Sequence, residues 1–198
     1  MKTVNGRTTK YEIDDMFLKR HSPRAMSGEK VSTEELMTLF EAARWAPSAY
    51  NIQPWRFVYA MRETPEFENI FSCLVDFNKS WCVNAGALIV TLSAKNSVSP
   101  KGETKPNVTH SFDTGAAWEN FALQALKIGL VAHGMSGFDF KKAAELLGVP
   151  EDYNVEMMIA VGRPGKVENL PEGLRAMETP NDRRPLEETI FKGKFGNK

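Results

Sequence analysis

Between residues 32 and 44, Leu36, Leu39, Phe40 and Ala43 recur at three- and four-residue intervals, which puts them on one face of a helix packed on a core. Ser32 and Glu35 stand at capping-box spacing at its start, and Pro47 disfavours helical geometry just beyond its end. Residues 55–61 and 87–92 are short, bounded and mostly apolar, and read as strands; 65–74 and 76–84 between them read as short helices. Residues 95–108, with Pro100, Gly102 and Pro106, read as a loop. The stretch 114–129 is apolar around most of its circumference, so it predicts a helix buried inside the fold or against a partner, with Asp113 as its cap and Gly129 at its end. A short strand at 130–135, a helix at 139–147 capped by Asp139, and a strand at 155–161 follow. From Glu168 onward prolines and glycines predict a tail that wraps over a surface without forming another helix. Strands and helices without regular alternation imply one α+β layered domain over residues 1–198, not a doubly wound sheet.

Composition narrows the function. Twenty-five basic residues balance twenty-five acidic ones, which gives no footing to a nucleic-acid binder, though a local basic cluster for one phosphate remains open. Residues 1–10 are polar, and no apolar run reaches the length of a membrane span, so the expectation is a cytoplasmic protein without membrane contact. Cys73 and Cys82 form no Cys-x-x-Cys pair and read as reduced thiols near a core. His21, His110 and His133 lack ligand spacing, so no metal is expected. The chain has no Gly-x-Gly-x-x-Gly after a strand, and residues 162–166 lack the spacing of a phosphate-binding loop and read as a plain turn. No Ser-His-Asp or Cys-His arrangement is apparent; His133, Met135, Trp118 and Phe121 read as packing residues.

Two segments carry chemistry. Residues 19–24, Lys-Arg-His-Ser-Pro-Arg, set two arginines around a serine in a loop, and forked guanidinium donors with a hydroxyl suit a phosphate. Residues 46–57 bracket Ser48, Asn51 and Gln53 between Pro47 and Pro54, a rigid loop whose donors and acceptors suit the edge of a polar heterocycle. A solvated basic loop and an ordinary helix-to-strand turn are the bland readings of the same residues.

The Arg20-x-Ser22-x-Arg24 element, followed by Ala46-Pro47-Ser48-x-x-Asn51-x-Gln53-Pro54-Trp55, resembles the nitroreductase family. The resemblance continues through Asn78 and Trp81, Asp113-x-Gly115, Gly129-Leu130, Gly137-Phe138-Asp139, residues 147–150 and Arg183-Arg184-Pro185-Leu186, covering about residues 19–195. It implies a layered fold with a central mixed, mainly antiparallel sheet flanked by helices. It also implies a homodimer that binds FMN at each end of the subunit interface. Arg20, His21, Ser22 and Arg24 would hold the phosphate and the pyrimidine edge. Pro47, Ser48, Ala49 and Asn51 would come from the partner subunit, with Gln53 close by. Asn78 would face the ring or the ribityl chain, Ser136 and Gly137 the N5 side, and Arg183 the phosphate. NADH or NADPH would pass hydride through N5 to a small oxidant such as a nitroaromatic or quinone, with Arg24 balancing charge near N1 and O2 and with no dedicated catalytic side chain. The resemblance equally accommodates flavin reduction, quinone reduction or reductive dehalogenation, and a non-catalytic FMN-binding protein is the reading from another class. Relatives often carry lysine where this chain has Trp81, and it lacks a long helical insertion that shapes the substrate pocket in others.

Overall fold

The structure, a computed structural model, describes residues 2–99 and 101–197. They form two compact units, one of Met1–His21 with Thr179–Lys198 and one of Ser22–Glu178.

The first unit opens with a hairpin, β1 (Lys2–Val4) against β2 (Arg7–Thr9). Asn5 and Gly6 join the strands, and both take positive φ, 53° and 74°, as a two-residue primed turn requires. That Asn-Gly pair was the sequence signal for an element the polarity of this stretch conceals. A short helix α1 (Asp15–Lys19) follows, its N-cap Asp14 accepting the amide of Met16. Arg7 is buried in this unit at 4% exposure.

The second unit begins with α2 (Thr33–Ala43), whose Ser32 and Glu35 make the full reciprocal capping box. It continues through β3 (Trp55–Met61), α3 (Pro65–Phe71), α4 (Asp76–Cys82) and β4 (Ala87–Ala94). A ribbon of β5 (Asn96–Val98) and β6 (Thr104–Pro106) leads to α5 (His110–Lys127) and β7 (Val131–Met135). Helix α6 (Phe140–Leu146), strand β8 (Tyr153–Gly162) and the short α7 (Glu172–Arg175) complete it.

Four strands form the central sheet in the order β3-β4-β8-β7, with every described pairing antiparallel. Strand β4 is buried from Ala87 to Ser93 because both faces are covered. Alternation then sorts its side chains. Leu88, Val90 and Leu92 pack with Phe67 and Ile70 of α3 and Trp81 and Cys82 of α4. Ala87 and Ile89 point the other way, into Leu36, Leu39, Ala43, Ala117, Phe121 and Ala125 of α2 and α5. The result is the α+β layering that the mixed pattern of elements implies.

Three local expectations change. The loop expected at 95–108 contains the β5–β6 ribbon. The tail expected to lack helix includes α7 and single 3-10 turns. Helix α5 starts at His110, so Asp113 lies within its first turn and not at its cap. A polar first turn is invisible to apolar periodicity, which locates only the buried face.

Among the described residues no helix is long and apolar enough to cross a membrane, and no group of histidine, cysteine and acidic side chains is arranged to hold a metal. Cys73 and Cys82 are buried and unbonded, and burial pushes the Cys82 thiol far above its ordinary range.

Candidate functional site

In the first unit, Arg7 organises the surroundings of two candidate phosphate residues. Its guanidinium donates to the carbonyls of Leu18 at 2.9 Å, Arg20 at 2.5 Å and Asn181 at 2.7 Å. Burial, and then the positive charges of Arg183 and Arg20, pull the Arg7 guanidinium below its usual pKa, with Asp182 opposing them. Arg183 also donates Nη1 to the carbonyl and side-chain oxygens of Asn181 at 3.4 and 3.2 Å. His21 lies in the same unit, its Nδ1 3.2 Å from the carbonyl of Lys19.

In the second unit, the segment 22–27 is fastened from several sides. Gly165 donates its amide to the carbonyl of Ala25 at 2.8 Å, and Ser27 donates to that of Arg163 at 3.0 Å. A Cβ on Gly165 would stand 2.5 Å from the backbone of Met26, so only glycine admits this approach. Arg163 also grips the Glu35 carboxylate at 2.8 and 3.1 Å. The 162–166 turn is therefore a clasp on residues 25–27, directly after Arg24, carried from the capping box of α2.

His133 of β7 reaches the same loop. Its Nδ1 lies 3.1 Å from the carbonyl of Pro23, which requires the Nδ1–H tautomer, and its ring lies 4.7 Å from that of Trp81. Burial holds this imidazole below its usual pKa, so it donates as the neutral form. Trp81, 1% exposed, donates its indole N–H to Oδ1 of Asn78 at 3.2 Å. Asn78 in turn donates Nδ2 to the carbonyl of Gly137 at 2.9 Å, and Val75 donates to the same oxygen at 3.1 Å. A Cβ on Gly137 would meet Asn78 Nδ2 at 2.5 Å. One continuous set of contacts thus joins candidate segments at 22–24, 78 and 136–137, and Ser136 is exposed beside it. The Arg24 guanidinium lies 5.9 Å over the Phe77 ring, and its Nε is buried without a hydrogen-bond partner among the described residues.

The loop of Pro47, Ser48, Ala49, Asn51 and Gln53 is held by a different set of contacts, to Asp113 and within itself. Its backbone is strained, with Tyr50, Asn51 and Gln53 at φ of 50°, 55° and 53°. Left-handed non-glycine residues cost of order 1–3 kcal/mol each and persist only where the surroundings over-determine them. Here Ser48 Oγ accepts the amide of Gln53 at 3.0 Å, and Asp113 Oδ2 accepts the amide of Ala49 at 3.1 Å while also taking Thr109 Oγ1 at 2.9 Å. Tyr50 is held 99% exposed at the loop's tip.

The fold also assembles Ser93, His110, Ser111 and Glu156, which no spacing in the sequence announces. Ser93 Oγ lies 2.7 Å from His110 Nδ1 and donates to Glu156, which accepts Ser111 Oγ at 2.6 Å as well. Ser93 is fully buried and touches both the imidazole Nδ1 and the carboxylate, whose nearest atoms are themselves 3.5 Å apart, so the ring's one contacting nitrogen is shared between serine and acid. A hydrolytic serine needs the imidazole between itself and the acid. The cluster therefore pins α5 to β4 and β8 and makes no nucleophile.

The residues missed by sequence reasoning are Arg7, Glu178, Asp113 in its bridging role and the Arg163 clasp. Each acts through a partner far along the chain, and only the Gly-Arg-Pro-Gly turn left a visible trace.

The layered fold and these segments define a family of oxidoreductase domains. The nitroreductase family model matches residues 17–78 and 63–163, and the chain belongs to the nitroreductase family. An oxidoreductase containing FMN has a crystal structure with a TM-score of 0.96 at 41% identity, covering 100% of both chains. A protein of Archaeoglobus fulgidus, named as a candidate NADH dehydrogenase/NAD(P)H nitroreductase, is 33% identical over 153 residues, 75% of this chain and 83% of its own. A candidate nitroreductase of Desulfovibrio desulfuricans, solved in complex with FMN, has a TM-score of 0.71 at 25% identity, covering 91% of this chain and 96% of that one.

Proposed function

We propose that this chain is an FMN-dependent oxidoreductase that takes electrons from NADH or NADPH and reduces a small electron acceptor such as a nitroaromatic or a quinone. The observation that carries this reading is the set of contacts from Pro23 through His133, Trp81 and Asn78 to Gly137. It ties a basic loop to a glycine turn, segments suited to opposite parts of a flavin.

The residues fit the group. Arg24 presents a buried, unpartnered Nε of the kind a pyrimidine carbonyl or ring nitrogen satisfies. Arg20 and Arg183 are the phosphate residues of this reading, and Arg7 fixes the backbone at Arg20 and at Asn181 beside them. His21 adjoins these residues in sequence. Asn78 and the Ser136–Gly137 turn line the ring or ribityl side. Bound FMN supplies the hydride and electron chemistry; the chain binds it, orients it and sets the charge around it.

The Pro47–Gln53 loop serves the flavin of a second copy in this reading. The exposed apolar side chains Trp45, Tyr50, Val108 and Phe112 near it and near the start of α5 support that assignment. The protein is then a homodimer with shared sites.

The test is an absorbance spectrum of the purified protein, repeated anaerobically after NADH and then NADPH, followed by a nitroaromatic or quinone. Flavin bands that bleach with one donor and return with the acceptor support the proposal. A colourless protein that takes up no added FMN overturns it, and bound flavin that no nicotinamide reduces reassigns the chain to flavin binding without catalysis.

A further inference from the structure

Glu178 is a buried acid that no motif explains. It is 9% exposed, and both its oxygens lie 2.9 Å from the backbone amide of Arg24. One oxygen also accepts the amide of Ala25 at 3.1 Å, and the other lies 3.7 Å from Arg24 Nη1. Two successive amides and a guanidinium form a ready acceptor for an anion. Here the chain supplies that anion itself, from a position 154 residues further on.

Two consequences follow from occupancy and charge. A phosphate cannot use the Arg24 and Ala25 amides, because a carboxylate already fills them. The positive charge of Arg24 is also balanced locally by Glu178, so this end of the loop presents donors with little net charge. The guanidinium is held by its Nη1 side, which leaves the buried Nε directed elsewhere. His133 fixes the adjoining Pro23 carbonyl from the other side.

We infer that Glu178 is a positioning residue that orients Arg24 and sets the electrostatic balance of the flavin's pyrimidine edge, and so tunes the reduction potential of bound FMN. The inference rests on the proposed flavin site. Reduction adds negative charge near N1 and O2, and a carboxylate behind Arg24 opposes it, so removing that carboxylate favours the reduced form.

The test is the midpoint potential of FMN in the holoprotein and three variants, each checked for native circular dichroism. Glu178→Gln should shift the potential upward, Arg24→Met downward, and Glu178→Asp, which keeps the charge, should stay near the parent. An unchanged potential in Glu178→Gln, with Arg24→Met shifted, overturns the role of Glu178 and leaves the flavin site standing. Unchanged potentials in both, with FMN still bound, remove Arg24 from the flavin and overturn both readings. A second measurement avoids flavin altogether: the apoprotein of Glu178→Ala is melted with and without acetate. Acetate that raises the Tm of the variant more than that of the parent supports a vacated anion position on the amide pair, and equal effects overturn it.

Discussion

Arg7 Nε donates to the carbonyl of Asn181 at 2.7 Å across 174 positions of sequence. With its contacts to Leu18 and Arg20, one buried side chain fixes the backbone on both approaches to the proposed phosphate residues.

Arg7→Met should therefore leave three carbonyls without their donor. A buried acceptor left unsatisfied costs about 1–3 kcal/mol, so the loss of stability is expected at the lower end of a few such terms after relaxation. The functional effect should depend on phosphate: FMN affinity falls by about tenfold or more, a change equal to about 1.4 kcal/mol, while riboflavin affinity changes little. Urea unfolding and flavin fluorescence titration check the two parts. Parallel losses for FMN and riboflavin would show that Arg7 does not act through the phosphate end.

Asp113→Asn keeps the shape of the side chain that holds Ala49 and removes its charge. Hydrogen bonds to charged groups contribute about 1.5–3 kcal/mol, and the strained Tyr50–Gln53 backbone depends on this one. The loop should relax, with weaker FMN retention and a modest fall in Tm. Retention of FMN through extensive dialysis, equal to that of the parent protein, would disconnect Asp113 from the site.

Gly137→Ala places a methyl 2.5 Å from Asn78 Nδ2 and 3.2 Å from Val75 Cγ2. The amide must rotate or the turn must shift, at a cost of about 1–3 kcal/mol, as for other overpacked positions. Thermal melting should register this in the apoprotein, and the FMN absorption bands should shift in the holoprotein because the Gly137 turn moves. An unaltered Tm would mean that Asn78 yields freely and that its bond to the Gly137 carbonyl carries little.

His133 gives a pH dependence of defined sign. Burial lowers its folded pKa below the ordinary 6.5, so the folded state prefers the neutral ring. The stability associated with that neutral ring is present above about pH 6.5 and is lost as the pH falls through the lower folded value. His133→Gln should flatten this part of the acid limb of a stability-against-pH curve. Equal slopes for parent and variant below pH 6.5 would contradict the assignment.

Much of the fold was legible. Ser32 and Glu35 announced α2 because a capping box is a local exchange of hydrogen bonds, complete within four residues. Residues 55–61 coincide with β3, and the apolar run at 87–92 lies within a strand covered on both faces. The Asn5-Gly6 turn is equally local, but its strands are short and polar and carry no apolar alternation. Among the candidate segments, the motifs marked where donors cluster, while nothing in them showed that Asn78 spends its amide on Gly137 and on Trp81.

The sequence by itself determined the main helices and sheet strands, the layered class and the family, since periodicity, caps and motif order are properties of neighbouring residues. Only the tertiary structure decided which distant groups meet: Arg7 with Asn181, Glu178 with Arg24, Asp113 with Ala49. Local patterns record which face of an element avoids water, and many partners satisfy that requirement. A hydrogen bond between residues 64 to 174 positions apart is selected by the packing of the whole unit that contains it. The chemistry of the site depends on those selections.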